Sequence, residues 1–116
     1  MLILKRKTSA LLCLDEEEIE TDLLLQNHVR GSTIDFQYAH SLGLISAPPA
    51  VFYYTDNTKE VKEYVNATIK VKGNDDKERA FNINLALTKH YNREKSTIKI
   101  GRAILNKLQI YLDFNE

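Results

Sequence analysis

Apolar and polar residues alternate along four stretches of this chain. Phe81, Ile83, Leu85 and Leu87 interleave with Asn82, Asn84, Ala86 and Thr88, and Leu108, Ile110, Leu112 and Phe114 with Gln109, Tyr111 and Asp113. Ile98 and Ile100 alternate with Thr97 and Lys99, and Ile69 and Val71 with Thr68, Lys70 and Lys72. A period of two places one set of side chains on a buried face and the other in water, the mark of a β-strand.

The remaining segments fill in around these strands. Residues 2–7 predict a short strand, Thr8-Ser9 a turn, and the apolar run 10–14 a buried strand too short for a helix. Residues 19–29 fit either a helix or a strand. Arg30-Gly31-Ser32 is a turn signal, and Ile34, Phe36 and Tyr38 then alternate with Asp35, Gln37 and Ala39 as a strand would. Pro48-Pro49 marks a loop or strand end, because it removes two backbone donors. Residues 50–55 are β-branched and aromatic, so they predict a strand. Asp56-Asn57-Thr58 offers caps for a short helix over 59–65, and the alternative is that 61–72 is strand throughout. Residues 73–76 form a hairpin turn between 68–72 and 79–88. Residues 92–95 predict a further turn, and 101–107 a helical turn or bulge before the last strand. The fold class predicted is mostly β (α+β): a single domain over 1–116, built as a small antiparallel sheet or sandwich with one or two short helices.

Composition changes this picture little. The chain has 116 residues, enough to bury one core without staples. Its one cysteine, Cys13, cannot form an internal disulfide and lies in an apolar run as a small buried hydrophobe. No apolar run reaches the roughly 18–20 residues that span a membrane. No long apolar stretch follows Lys5, Arg6 and Lys7, so no secretory leader is predicted and the expected setting is cytoplasmic.

Charge adds an asymmetry hidden by a net charge of zero. Residues 1–58 carry four Lys/Arg against eight Asp/Glu, and residues 59–116 carry twelve against eight. Six carboxylates crowd into residues 15–22, and six basic residues into 89–107 against Glu94 alone. The basic stretch is a candidate polyanion surface. Equally, the acidic and basic segments are complementary patches for self-association.

Candidate chemistry is sparse. His28, His40 and His90 are widely spaced, with no second ligand at zinc spacing. The acidic run lacks the glycine of a calcium loop and is read as a solvated edge that discourages aggregation. The glycines are too scattered to cradle a phosphate, and no nucleophile elbow occurs. Residues 87–108 can be laid onto a helix-turn-helix, but the alternation at 81–87 argues against its first helix. No catalytic residue, metal site or cofactor is therefore predicted, and the chain is not expected to be an enzyme.

Two stretches resemble the carbon storage regulator (CsrA/RsmA) family of small dimeric β proteins that bind messenger RNA. Members begin Met-Leu-(Ile/Val)-Leu-x-Arg-(Arg/Lys), and this chain begins Met1-Leu2-Ile3-Leu4-Lys5-Arg6-Lys7. Members later carry Gly-(Val/Ile)-x-Ala-Pro-x-x-Val-x-Val-x-Arg before a helix. The counterpart here is Gly43-Leu44-Ile45-Ser46-Ala47-Pro48-Pro49-Ala50-Val51-Phe52-Tyr53-Tyr54-Thr55. The resemblance covers the first 65 residues and implies an RNA site lined by Leu4, Arg6 and Lys7. The family's second arginine falls on Thr55, and about fifty further residues follow the helix.

Two functions are expected. The first is a non-catalytic regulator that binds nucleic acid, RNA before DNA. Lys5, Arg6, Lys7, Lys95, Lys99 and Arg102 would contact phosphate, and Tyr53 and Tyr54 would stack on bases. The second is a protein-interaction or assembly module, such as a factor encoded by a virus or mobile element, acting through self-association or strand addition to a protein partner. Exposed strand edges in so small a β protein make a homodimer the expected state under either.

Overall fold

The computed structural model describes residues 2–46, 63–90 and 94–113. The elements in chain order are β1 (Leu2–Lys5), β2 (Lys7–Cys13), β3 (Glu18–Gln26), β4 (Thr33–Asp35), α1 (Phe36–Ser41), β5 (Tyr64–Lys72), β6 (Glu78–Thr88), β7 (Thr97–Gly101), α2 (Arg102–Lys107) and β8 (Ile110–Asp113). Six strands close into a barrel in the order β2-β3-β7-β4-β6-β5, and β1 and β8 form a separate two-stranded sheet. The fold is mostly β with two short helices, as the alternation predicts.

The pairing is not wholly antiparallel. β1 with β8, β3 with β7, and β4 with β6 run parallel. Alternation fixes which face of a strand is wet, not which strand lies beside it. The barrel interior is filled by side chains, with Leu12, Leu25, Ile34, Leu85 and Ile98 all but inaccessible. α2 and the β1–β8 ribbon close the end where β3 and β7 finish. There Leu4, Ile104, Leu108 and Ile110 line the same small apolar cavity as Leu25 and Ile100.

Several local expectations change. The first strand breaks at Arg6, whose carbonyl accepts from Leu25 N at 2.8 Å, and Thr8-Ser9 continues β2 instead of turning. Residues 18–26 are strand, which resolves the ambiguity at 19–29. The alternation at 34–38 is deceptive. Asp35 ends β4 and caps α1, its Oδ2 accepting from Gln37 N at 3.0 Å and Tyr38 N at 3.1 Å. α1 stops in a Schellman turn. Gly43, at φ +79°, donates to His40 O, and Leu44 N donates to Ala39 O. Tyr64 and Val65, expected to end a helix, begin β5. The rest of that helix and the strand at 50–55 lie outside the described residues. Leu108 and Gln109 close α2 before β8 starts at Ile110. No described helix is long and apolar enough to cross a membrane.

Candidate functional site

β3 and β4 follow one another in sequence, but β7 lies between them in the barrel. The chain must therefore cross over, and residues 27–32 do so at the end where β7 passes into α2. Three hydrogen bonds fix the crossing: Arg102 N to Val29 O at 2.6 Å, Ala103 N to Arg30 O at 3.2 Å, and Gly101 N to Ser32 Oγ at 2.8 Å. Asn27, His28, Arg30 and Gly31 are exposed on this anchored loop.

Register places a basic group here. Lys7 pairs with Leu24, and Leu24 pairs with Lys99. These three side chains share the outer face, with the two lysines flanking Leu24 about 10 Å apart across two strand spacings. Arg6 and Arg102 join at the strand ends, and Arg30 adds a charge the sequence reading missed. Lys99 is not a free cation, because it pairs with Glu94. Its ammonium holds the Glu94 carboxyl below the usual carboxylate range. Lys5 and Asp113 are register partners.

Other expected contacts do not gather here. Lys95 precedes β7, whose first residue pairs with Asp22, whereas Arg102 follows its last. The length of β7 therefore separates the two, and the basic stretch does not form one patch. Leu4, implied by resemblance to line an RNA site, is 4% exposed and belongs to the core. Tyr53 and Tyr54 lie outside the described residues. The acidic connection at 15–17 joins β2 to β3 at the other end of β3, about 27 Å from the crossover.

A buried polar network lies toward the other end of β7, where the antiparallel β4 ends at Asp35. Asp35, 1% exposed, also accepts from His90 N through Oδ1 at 2.8 Å. The His90 ring, 3% exposed, lies 3.0 Å through Nδ1 from Glu94 O and 2.8 Å through Nε2 from Thr33 Oγ1. A carbonyl only accepts, so Nδ1 carries the proton and Nε2 accepts from the threonine hydroxyl. Burial pushes the His90 pKa down, and the charge of Lys99 adds to this. Every acceptor and donor here is engaged within the protein, so the network braces the fold. Among the described residues no group of three His, Cys, Asp or Glu could hold a metal.

The β1–β8 ribbon is the other distinctive surface. Leu2, Leu4, Ile110 and Leu112 turn one face into the core. The opposite face carries Ile3 and its register partner Tyr111, which is 53% exposed. Among the described strands, only β1 and β8 have an unpaired edge.

No family model matches this sequence, and no curated protein matches it. Ten chains of solved structure do match. One is a Legionella pneumophila protein of unknown function (DUF785). It is 14% identical with a TM-score of 0.57, over 97% of this chain and 92% of that one. Another is the retroviral protease-like domain of Ddi1 from Leishmania major, 9% identical with a TM-score of 0.46, over 91% of this chain and 79% of that one. The first likeness is one of fold.

Proposed function

We propose that this chain is a non-catalytic assembly module that self-associates by strand addition at the β1–β8 ribbon, with a homodimer as the basic unit. The carrying observation is a two-stranded parallel sheet whose strands, among the described residues, ladder with no third strand. Parallel sheets are ordinarily larger and covered on both faces, and two strands alone are marginal. One face of this ribbon is covered by the core, while the other carries the half-buried Ile3 and exposes Tyr111. A second ribbon related by a two-fold axis would supply the missing strands and cover those side chains.

The test is light scattering with size-exclusion chromatography on the whole chain and on Tyr111→Glu. The wild type should be dimeric, and the variant monomeric with an unchanged melting temperature. A wild type that stays monomeric at every attainable concentration overturns the reading.

The gathering of Arg6, Lys7, Arg30 and Arg102 at the crossover favours a second reading, binding of single-stranded RNA. Anisotropy titration at about 50 and about 200 mM salt tests it, since phosphate contacts weaken steeply over that range. Salt-sensitive binding lost in the Lys7→Ala/Arg102→Ala double variant supports this reading. No binding at either salt removes it.

A further inference from the structure

A different face of the barrel carries chemistry that neither reading uses. Asn66 and Thr68 on β5 pair in register with Asn84 and Asn82 on β6, and all four point outward. Their side chains form a directed chain. Asn82 Nδ2 donates to Thr68 Oγ1 at 3.0 Å and to Asn66 Oδ1 at 2.6 Å, and Asn66 Nδ2 donates to Asn84 Oδ1 at 2.9 Å. Each asparagine thereby has at least one side-chain partner, although all three are exposed. Asn84 keeps its Nδ2 donors for a ligand, and Asn82 keeps its Oδ1 acceptor. Tyr64, 61% exposed, stands on the same face two residues before Asn66.

We infer that this face is a binding platform for a neutral oligosaccharide. Rows on one strand face repeat about every 7 Å, and neighbouring strands lie about 5 Å apart. A chain of sugar rings laid along β5 therefore sets one ring against Tyr64 and the next over Asn66 and Asn84. The aromatic ring takes the apolar side of a sugar. Amides already partnered with one another take its hydroxyls with less ordering on binding, which lowers the cost of association.

Charge selects against the alternatives. The five platform residues are uncharged. Asn66 and Thr68 also line a cleft whose other wall carries Asp15, Glu16 and Glu17. Three carboxylates there repel phosphate, so RNA and acidic glycans are disfavoured. Two cations follow on the same face of β5: Lys70 is occupied by Glu18 at 2.6 Å and faces Glu78 at 3.9 Å, and Lys72, at the far end of the strand, has Glu78 as its register partner. A protein partner would want an apolar centre, and the platform offers one exposed aromatic only.

The test is 1H–15N NMR titration of the whole chain with cello-, xylo-, manno-, malto- and chitohexaose. Hexagalacturonate and oligo(U) serve as anionic controls. One neutral hexasaccharide should shift the amides of residues 64–68 and 82–84, with a dissociation constant in the range of about 0.01–1 mM. Tyr64→Ala and Asn84→Ala should each weaken it about tenfold or more, with the thermal melt unchanged. The inference falls if no neutral hexasaccharide in the panel shifts those amides. It also falls if Tyr64→Ala binds as well as the wild type, or if an anionic control binds this face more tightly. The oligomeric state of Tyr64→Ala should match the wild type, so the outcome is independent of the assembly reading.

Discussion

Gly101→Ala isolates what holds the crossover together. Gly101 has φ −94° and ψ 176°, which any residue adopts, so alanine there costs nothing in backbone conformation. The cost is steric. An added Cβ would lie 2.3 Å from Gly31 O, 2.6 Å from Arg30 O and 2.7 Å from Gly31 C. These are backbone atoms, so relief requires residues 30–31 to move off β7. That movement pulls on the bonds from Arg102 N to Val29 O, from Ala103 N to Arg30 O and from Gly101 N to Ser32 Oγ. Overpacking costs about 1–3 kcal/mol, and each weakened hydrogen bond about 1 kcal/mol. The expected loss is therefore about 3–5 kcal/mol, a large part of the roughly 5–15 kcal/mol that holds a domain folded. Urea unfolding followed by circular dichroism measures it, with the slope against denaturant checked for constancy. Gly31→Ala is the control, since nothing lies within 4 Å of its added Cβ, and it should change stability by about 0.5 kcal/mol or less. A Gly101→Ala variant within about 1 kcal/mol of wild type would refute the account of the crossover as closely packed.

The other predictions concern the buried network and the helix ends. Asp35→Ala leaves the N–H groups of Gln37, Tyr38 and His90 without their acceptor, and should cost about 3–5 kcal/mol in the same unfolding assay. His90 has a folded pKa below its ordinary value of 6.5. Above pH 6.5 it is neutral in both states. As pH falls below 6.5 the unfolded chain takes up the proton first, so stability declines until the folded pKa is reached, by at most about 1.4 kcal/mol per pH unit. His90→Gln should remove that part of the slope when unfolding free energies are measured from pH 7.5 to 5. Gln109 sits at φ +56° just past α2, a position suited to glycine, so Gln109→Gly should raise stability by about 0.5–1 kcal/mol in thermal melts.

Strand content was legible wherever alternation ran long, as over residues 81–88, and the 73–76 turn from its breakers, whereas 101–107 read equally as a helical turn or a bulge and is α2. α1 was not, because six residues make fewer than two turns and show no helical period. Ile34, Phe36 and Tyr38 mimic a strand, and the signal that could have separated them was Asp35 in the position of a cap. Leu23-Leu24-Leu25 read ambiguously because Leu24, on the outer face, is itself buried. The β1–β8 pairing joins residues more than a hundred positions apart, which no local pattern encodes. The site followed the same division. Arg6 and Lys7 lie at the same end of the barrel as Arg102, while Lys5 faces Asp113 on the ribbon, and only the register shows that Lys95 lies away from them and that Arg30 joins them.

The asparagine ladder shows how a functional signal can hide inside a structural one. Asn82 and Asn84 satisfy the alternation as its polar half, which makes them look like ordinary solvent-facing strand residues. Yet asparagine is depleted in strands, and a solvent-facing ladder is ordinarily filled by threonine or paired charges. Three asparagines on two adjacent strands therefore go against local propensity. Departures of this kind are where function is expected to override folding economy. By contrast, the charged residues that stood out in the sequence are partly consumed by the fold, Lys99 by Glu94 and Lys70 by Glu18. In this barrel the polar side chains left with unused bonding capacity, together with the unpaired strand edges, are better guides to function than the charge runs.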